Sequence, residues 1–465
     1  MNESIELKGK EVLIVGFGIT GKTVARFLLE QKAIVTVNDI KCREDIGDDL
    51  YLFESRGAKF VLGSHPDEIF LHQDLIVVSP GVNYHLQPLI KAQTKGIPVI
   101  GDIELASRFI DSPIIGITGT NGKSTTTALI AKILSGCGYK VFLGGNIGTP
   151  LITYVQNNIR ADFLVVELSS FQLESIKTFA PHIAILLNIT EDHLDRYSSF
   201  ASYCKAKFRI FMNQTESDFA IINRDDEACK SIIPSLTAKV LPFSHQRFKG
   251  NGLYSNGKFL YFQKENDSNH VYSLSKVKLL GRHNQANMLA AIGAAELCSC
   301  PHEKIQESLE SFRGLDHRLE FVQEIDGVSF YNDSKATNID SLLHAIQTFS
   351  GNLILIAGGR EKGGDYGVLK EEIKKRVKML ILIGESQEKL FHLFESLTHA
   401  CLADNLKEAV QLAFQNAKKG DVVLLSPGCA SFDMFSNFEE RGKKFKEAVQ
   451  LLANEKRKGE ARTDK

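Results

Sequence analysis

Short runs of β-branched and aliphatic residues recur along this chain, each separated from the next by a segment of helical spacing, and that alternation narrows its fold more than any other feature. EVLIV (11–15), AIVTV (33–37), DLIVVS (74–79) and PVI (98–100) open the series, with TVARFLLEQ (23–31) and QPLIKAQTK (87–95) as helical segments among them. Strands that read as continuous apolar runs are buried on both faces, which calls for a parallel sheet covered by helices on both sides. The series resumes with PIIGIT (113–118), KVFLG (140–144), ADFLVVEL (161–168), HIAILLN (182–188) and DFAIIN (218–223). It resumes again with GVSFYND (327–333), NLILIAGG (352–359), KMLILIG (378–384) and DVVLLSPG (421–428), expected as parallel strands. Between these two groups the pattern changes. GLYSNGKFLYF (252–262) sets Asn256-Gly257 between two strand-like runs, a hairpin signal. VYSLSKVKLLG (271–281) adds β character, and the Ala-rich HNQANMLAAIGAAEL (283–297) predicts a helix. A chain of 465 residues has room for about three domains. The expected division is 1–110, 111–313 and 314–465, all α/β. The charged tail from Lys443 reads as a solvated, fraying helix.

Charge and cysteine usage exclude several classes of function. Lys and Arg (55) nearly cancel Asp and Glu (56), leaving a net charge of -1. Nothing in that balance draws the chain to nucleic acid or to an anionic membrane. The eight cysteines contain no CxxC pair and no metal-ligand spacing, as expected of free thiols in a reducing cytoplasm. The N-terminus has no basic segment followed by a long apolar one, and no apolar stretch reaches the ~20 residues that span a bilayer. A cytoplasmic protein without nucleic-acid or membrane partners is the expectation.

Two glycine-rich loops carry the chemistry. Gly16-Phe17-Gly18-Ile19-Thr20-Gly21 follows a strand and opens a helix, and Asp39 closes the next strand at the spacing of a dinucleotide-binding unit. A glycine turn at a helix N-terminus suits any nucleotide diphosphate, so the motif by itself leaves NAD and other diphosphates at even odds. The second loop, Gly119-Thr120-Asn121-Gly122-Lys123-Ser124, departs from the strict GxxxxGK[ST] pattern because Ile117 stands where glycine belongs. It keeps the working parts of a nucleoside-triphosphate loop. Glycines let backbone N–H groups approach phosphates, a lysine meets the β and γ oxygens, and a hydroxyl serves Mg²⁺.

The run GITGTNGKSTTT resembles the Mur ligase family, the ATP-dependent amide-forming enzymes of bacterial cell-wall synthesis and their folylpolyglutamate synthase relatives. Further matches fall in order: GGNIG (144–148), VVELSSFQLE (165–174), LNITEDHLDRY (187–197), YCKAKFRIF (203–211), GRHNQAN (281–287), GLDHRLE (314–320), YNDSKATN (331–338) and SPGCASFDMFSNFEERG (426–442). The resemblance implies a three-domain α/β protein. Its N-terminal Rossmann-like domain would bind a UDP-substrate, its central P-loop-type ATPase domain would have a mixed sheet and a β patch, and its C-terminal Rossmann-like domain would bind the amino acid. The implied member adds D-glutamate to UDP-N-acetylmuramoyl-L-alanine, working as a monomer. A carboxylate is a poor acyl donor, so such ligases first phosphorylate it with ATP and then let an amine attack the acyl phosphate. The anionic oxygens brought together in that first step need cations aimed at them.

The resemblance also implies a role for each of several residues. Gly119, Thr120, Asn121, Gly122, Lys123, Ser124 and Thr125 would hold the ATP phosphates, with Ser124 and Glu167 on a first Mg²⁺. His193 would bind a second Mg²⁺, and Lys207 would be carbamylated by CO₂ to a carboxylate-like ligand. Lys205 lies two positions away, and only the motif column selects Lys207. Asn284 and Asn287 would lie near adenine, with His317, Arg318, Asp333 and Lys335 reaching ribose and phosphates. Ile19, Thr20, Asp39, Gly81 and Asn146 would contact the UDP-substrate, although Ile40 and Lys41 depart from the threonine and arginine common there. Thr337, Lys362, Ser431 and Phe438 would bind D-glutamate. Three rival readings stand beside this one: a sibling Mur ligase or folylpolyglutamate-synthase-like ligase adding a different amino acid, a nicotinamide dehydrogenase resting on GxGxxG alone, and a non-catalytic nucleotide-binding regulator.

Overall fold

The computed structural model describes residues 6–47, 49–193, 196–264, 269–350, 352–361 and 363–463. The chain divides into two compact units. The first takes in the chain up to Ile189 with Ala201–Ser273 and Ala286–Leu309, and the second takes Thr190–Phe200, Leu274–Gln285 and the chain from Glu310.

Two sheets build the first unit. Strands β1 (Glu11–Val15), β2 (Ile34–Asp39), β3 (Lys59–Leu62), β4 (Leu75–Val78) and β5 (Val99–Gly101) form a sheet in the order β3-β2-β1-β4-β5, parallel throughout. Leu13, Val15, Ile76 and Val78 pack on Leu89 and Ala92 of the helix Gln87–Thr94. The order reverses at β1, so the Gly16–Gly21 turn leaves its carboxyl end at a switch point, where α/β sheets place ligands.

The second sheet comprises β6 (Ile114–Thr118), β7 (Val141–Gly145), β8 (Phe163–Glu167), β9 (Ile183–Leu186), β10 (Phe219–Asn223), β11 (Lys239–Ser244), β12 (Gly252–Ser255), β13 (Phe259–Gln263) and β14 (His270–Ser273). Its order is β14-β13-β12-β11-β10-β9-β6-β8-β7. It is parallel from β7 to β12 and antiparallel only across β12, β13 and β14. The expected β patch at the edge is there, with Asn256-Gly257 at the hairpin turn. The β character read into 271–281 stops at Ser273, and β11 was not anticipated.

Within this unit the helix Asp102–Ser107 carries two buried carboxylates. Glu104 accepts hydrogen bonds from the backbone N–H groups of Lys177 (2.8 Å), Thr178 (3.0 Å) and Phe179 (3.0 Å). Burial alone would raise its pKa; these donors and the Thr178 hydroxyl (2.7 Å) hold it below the ordinary value. Asp102 has no such cluster. Its Oδ2 accepts a long bond from Gln172 Nε2 (3.4 Å), and burial pushes its pKa up to about 6 from an ordinary 3.8. The folded protein therefore holds this proton across a range where the unfolded chain has released it, and Asp102 costs stability progressively as pH rises from about 4 to about 6. We expect Asp102→Asn to match the parent at pH 4 and to exceed it above pH 6 by on the order of 1–3 kcal/mol. Urea unfolding at the two pH values checks this; equal differences at both would show that Asp102 titrates normally.

The sheet of the second unit comprises β15 (Glu320–Ile325), β16 (Val328–Asn332), β17 (Leu353–Gly358), β18 (Val377–Ile383), β19 (His399–Leu402) and β20 (Val422–Leu425), in the order β15-β16-β20-β17-β18-β19. All neighbours are parallel except β15 and β16. One face is covered by the helices Leu406–Asn416 and Phe438–Thr463, the other by Ile339–Thr348, Lys370–Arg376 and Gln387–Phe394. The tail expected to be solvated is corrected here. Phe445 and Val449 are fully buried, and with Ala448, Leu452 and Ala453 they complete a core. Lys443, Lys444, Glu447, Glu455 and Lys456 are exposed on the opposite face of an amphipathic helix.

Candidate active site

In the first unit the phosphate loop is built where β6 ends and the helix Lys123–Gly136 begins. Gly122 caps that helix in the left-handed region (φ +84°), and a Cβ there would lie 2.2 Å from Asn287 Oδ1. Only glycine fits a turn with both properties. Asn287 is buried beneath the loop, and Thr125 and Ser124 are buried in the first helical turn. Lys123 Nζ folds back to donate to the carbonyls of Gly119 (2.9 Å) and Thr120 (2.7 Å).

Asn188, which no motif reading marked as functional, clamps the loop. Its carbonyl accepts from Thr120 N (2.9 Å), its Oδ1 from Asn121 N (2.8 Å), and its Nδ2 donates to Asn121 O (3.0 Å). It lies just past β9, the sheet neighbour of β6, so the strand order delivers it. Its place within LNITEDHLDRY was the only signal available.

Glu167 ends β8 on the other side of β6, in register with Ile117 and two residues short of Gly119. It is 2% exposed. Oε1 accepts from Asn146 Nδ2 (2.8 Å), while Oε2 is buried and finds no hydrogen-bond partner among the described residues. Burying an unpaired carboxylate oxygen is costly unless something binds it. Lys207, 1% exposed, donates to Gly119 O (2.8 Å) and sits over the Tyr203 ring (4.6 Å), surroundings that suit an ammonium. The Tyr203 and Thr120 hydroxyls share a hydrogen bond (3.2 Å).

A Mg²⁺ ion fits this donor set. Among the described residues no group of three or more His, Cys, Asp or Glu side chains is arranged to hold a metal by itself. Mg²⁺ needs none, since it is characteristically held by one or two carboxylates together with substrate phosphates. An orphaned carboxylate beside a phosphate loop is that arrangement.

The nucleotide-like turn of the first sheet is also in this unit. Asp39 accepts from Phe17 N (2.6 Å) and Lys41 N (2.9 Å), one bond on each oxygen. Ile19 is 78% exposed at the start of the helix Ile19–Glu30, with Thr20 beside it, and Gly81 is exposed in the turn after β4. Asn146 follows β7, and its N–H donates to Glu167 O (2.9 Å).

The second unit gathers the remaining candidates. Asn284 donates from Nδ2 to Leu280 O (2.6 Å). His193 adopts a positive φ of 56°, and its N–H meets Asp192 Oδ1 (2.9 Å). Asp192 Oδ2 in turn accepts from Nδ2 of Asn338 (3.2 Å), the residue after Thr337. His317, also at positive φ (64°), accepts at Nδ1 from Asn332 Nδ2 (2.9 Å), and burial lowers its pKa. Asp333 is buried; it accepts from Leu319 N (3.1 Å) and Ser426 Oγ (2.8 Å), and burial pushes its pKa up to about 7. Lys335 stacks over the Phe438 ring (3.5 Å) and donates its N–H to His317 O (3.0 Å). Arg318 lies close enough for its charge to act on Asp333. Thr337 is half-buried and Ser431 fully buried. Lys362 lies outside the described residues. All eight cysteines are free, and no helix among the described residues is long and apolar enough to cross a membrane.

Comparison with known proteins adds to this geometry. Residues 10–101 match the family model described as Mur ligase MurD-like, N-terminal domain; 117–295 match Mur ligase middle domain; 317–429 match Mur ligase, glutamate ligase domain. The chain is 45% identical over 449 residues to the UDP-N-acetylmuramoylalanine--D-glutamate ligase of Geotalea uraniireducens, covering 96% of this chain and 99% of that one. Its fold resembles a pseudomurein peptide ligase type C from Methanothermus fervidus, with a TM-score of 0.61, 20% identity and coverage of 96% and 100%. It also resembles a MurF ligase from Thermotoga maritima in complex with ADP, with a TM-score of 0.60, 18% identity and coverage of 97% and 98%.

Proposed function

Because this chain belongs to the Mur ligase family, we propose that it joins D-glutamate to the alanyl carboxylate of UDP-N-acetylmuramoyl-L-alanine at the expense of ATP, a step in peptidoglycan precursor synthesis. One observation carries this reading: the 45% identity to a ligase of that name extends over 96% of the chain. It therefore takes in the amino-acid domain as well as the phosphate loop.

The reaction runs in two steps. A carboxylate oxygen of the alanyl group attacks the γ-phosphorus and ADP departs. The amine of D-glutamate then adds to the acyl carbon, and the tetrahedral adduct expels phosphate as the amide forms. Lys123, now turned back on its own loop carbonyls, neutralises the β and γ oxygens once they are present. Ser124 and Glu167 would hold Mg²⁺, which when bound offsets charge on the phosphates. Asn188 and Asn287 keep the loop in shape before the nucleotide arrives, so little ordering cost falls on binding. Carbamylation of Lys207 would require a neutral amine turned away from Gly119 O. Ile19, Thr20, Asp39, Gly81 and Asn146 would serve the UDP-substrate. His317, Arg318, Asp333, Lys335 and Asn284 would serve ATP, and Thr337, Ser431 and Phe438 would serve D-glutamate. We place the enzyme in the cytoplasm as a monomer in three domains, 1–110, 111–313 and 314–465.

Phosphate release from ATP with UDP-N-acetylmuramoyl-L-alanine, run with D-glutamate, L-glutamate and no amino acid, tests the reading. Release and product are expected with D-glutamate alone. Release with a different amino acid would keep the ligase and overturn the substrate.

A further inference from the structure

Arg441 belongs to the run SPGCASFDMFSNFEERG but has no role in the scheme above. It lies in the first turn of the helix Phe438–Thr463 and is 1% exposed. Its guanidinium ties together two loops that are far apart in sequence. Nε donates to Ser334 Oγ (3.0 Å) and Nη2 to Ser334 O (2.8 Å). Nη2 and Nη1 both reach Cys429 O (3.1 Å each), and Nη1 also reaches Ala430 O (3.3 Å). Ser334 Oγ donates onward to Phe438 O (2.9 Å), which closes the arrangement on the helix itself.

These partners are a hydroxyl and three carbonyls. Asp333 and Asp433 act on the guanidinium through their charge alone. Burial lowers its pKa to about 10, so it stays cationic at neutral pH. A buried cation with no hydrogen-bonded carboxylate among the described residues is an expensive way to join two loops, and apolar packing would serve stability better. What the guanidinium supplies is geometry: a rigid planar fork with five donors can hold two backbones at one separation, which a lysine cannot. The loops it joins each lead directly to candidate amino-acid ligands. Ser334 stands between Asp333 and Lys335, just before Thr337, and Ala430 immediately precedes Ser431.

We propose that Arg441 is a positioning residue for amino-acid binding, fixing the Ser334 loop against Cys429–Ala430 so that Thr337 and Ser431 meet the substrate carboxylates in one arrangement. This rests on the D-glutamate reading of the same site. The test compares the full-length parent with Arg441→Lys and Arg441→Ala, measuring KM for D-glutamate, ATP and UDP-N-acetylmuramoyl-L-alanine, kcat, and Tm without substrates. Arg441→Lys is expected to raise the D-glutamate KM on the order of 10-fold or more, the scale of ångström-level misplacement, with the UDP-substrate KM unchanged. In Arg441→Ala, guanidinium ion at low millimolar concentration should recover part of the D-glutamate affinity, and it should do nothing for the lysine variant. An unchanged D-glutamate KM in a folded variant overturns the proposal, and so do three KM values that move together with Tm. Should the alanine variant not fold, the lysine variant decides alone. If the parent uses another amino acid instead, the substrate reading fails, and the same comparison with that amino acid still tests Arg441.

Discussion

Glu167→Gln is expected to lower the rate of ATP-dependent phosphate release by on the order of 10²–10³-fold while leaving the substrate-free protein at least as stable as the parent. Both halves follow from one carboxylate. Oε1 is held by Asn146 Nδ2, and Oε2 is buried without a partner among the described residues. In the absence of Mg²⁺ and nucleotide that oxygen is buried and unpaired, and a neutral amide of the same shape avoids burying a carboxylate there. With them present it would be a ligand under the proposed function, and the amide would lack the charge for that role. Thermal unfolding with and without Mg·ATP separates the two states. The parent should gain stability from Mg·ATP and the variant should gain little. A variant that turns over normally with the usual Mg²⁺ requirement would show that Glu167 is only a strand-end carboxylate.

Gly122→Ala is expected to raise the ATP KM by on the order of 10- to 100-fold. The added methyl would sit 2.2 Å from Asn287 Oδ1, on a residue whose φ of +84° costs an L side chain roughly 1–2 kcal/mol. Either the loop or Asn287 must move, and both are proposed to serve the nucleotide. Gly138→Ala provides the contrast. It stands at the other end of the same helix with φ +91°, and its new Cβ would meet nothing within 4 Å. That variant pays backbone strain alone, so its Tm should fall while its ATP KM stays put. Equal ATP affinity in the two variants would mean that the contact with Asn287 does not shape the loop.

The sequence made legible what local chemistry dictates. Strands β1, β8 and β17 are buried on both faces and read as unbroken apolar runs. Strands β3, β15 and β19 escaped because they are sheet edges with half-exposed side chains and no such run. Strand β11 escaped because it contains Pro242, which argues against an interior strand. The structure tolerates it because pairing with β12 begins only at Phe243. Lys123 and Glu167 announced themselves through a motif and a strand end. Asn188 and Arg441 did not, because each acts on backbone 67 and 107 residues away respectively, and only the tertiary fold brings those segments together.

The order of strands in the second unit also sets when that unit can exist. β20 lies between β16 and β17, so the middle of the sheet is the last of its strands to be synthesised. Until it emerges from the ribosome, β16 and β17 each lack a neighbour, and their apolar faces wait on the helix Phe438–Thr463, which comes later still. Non-local pairing of this kind is slow and leaves unpaired strand edges open to other chains meanwhile. During translation the strands of this unit therefore stay incompletely paired until β20 is made, and a chain stopped anywhere before β20 is expected to aggregate through those open edges rather than to act as a smaller enzyme.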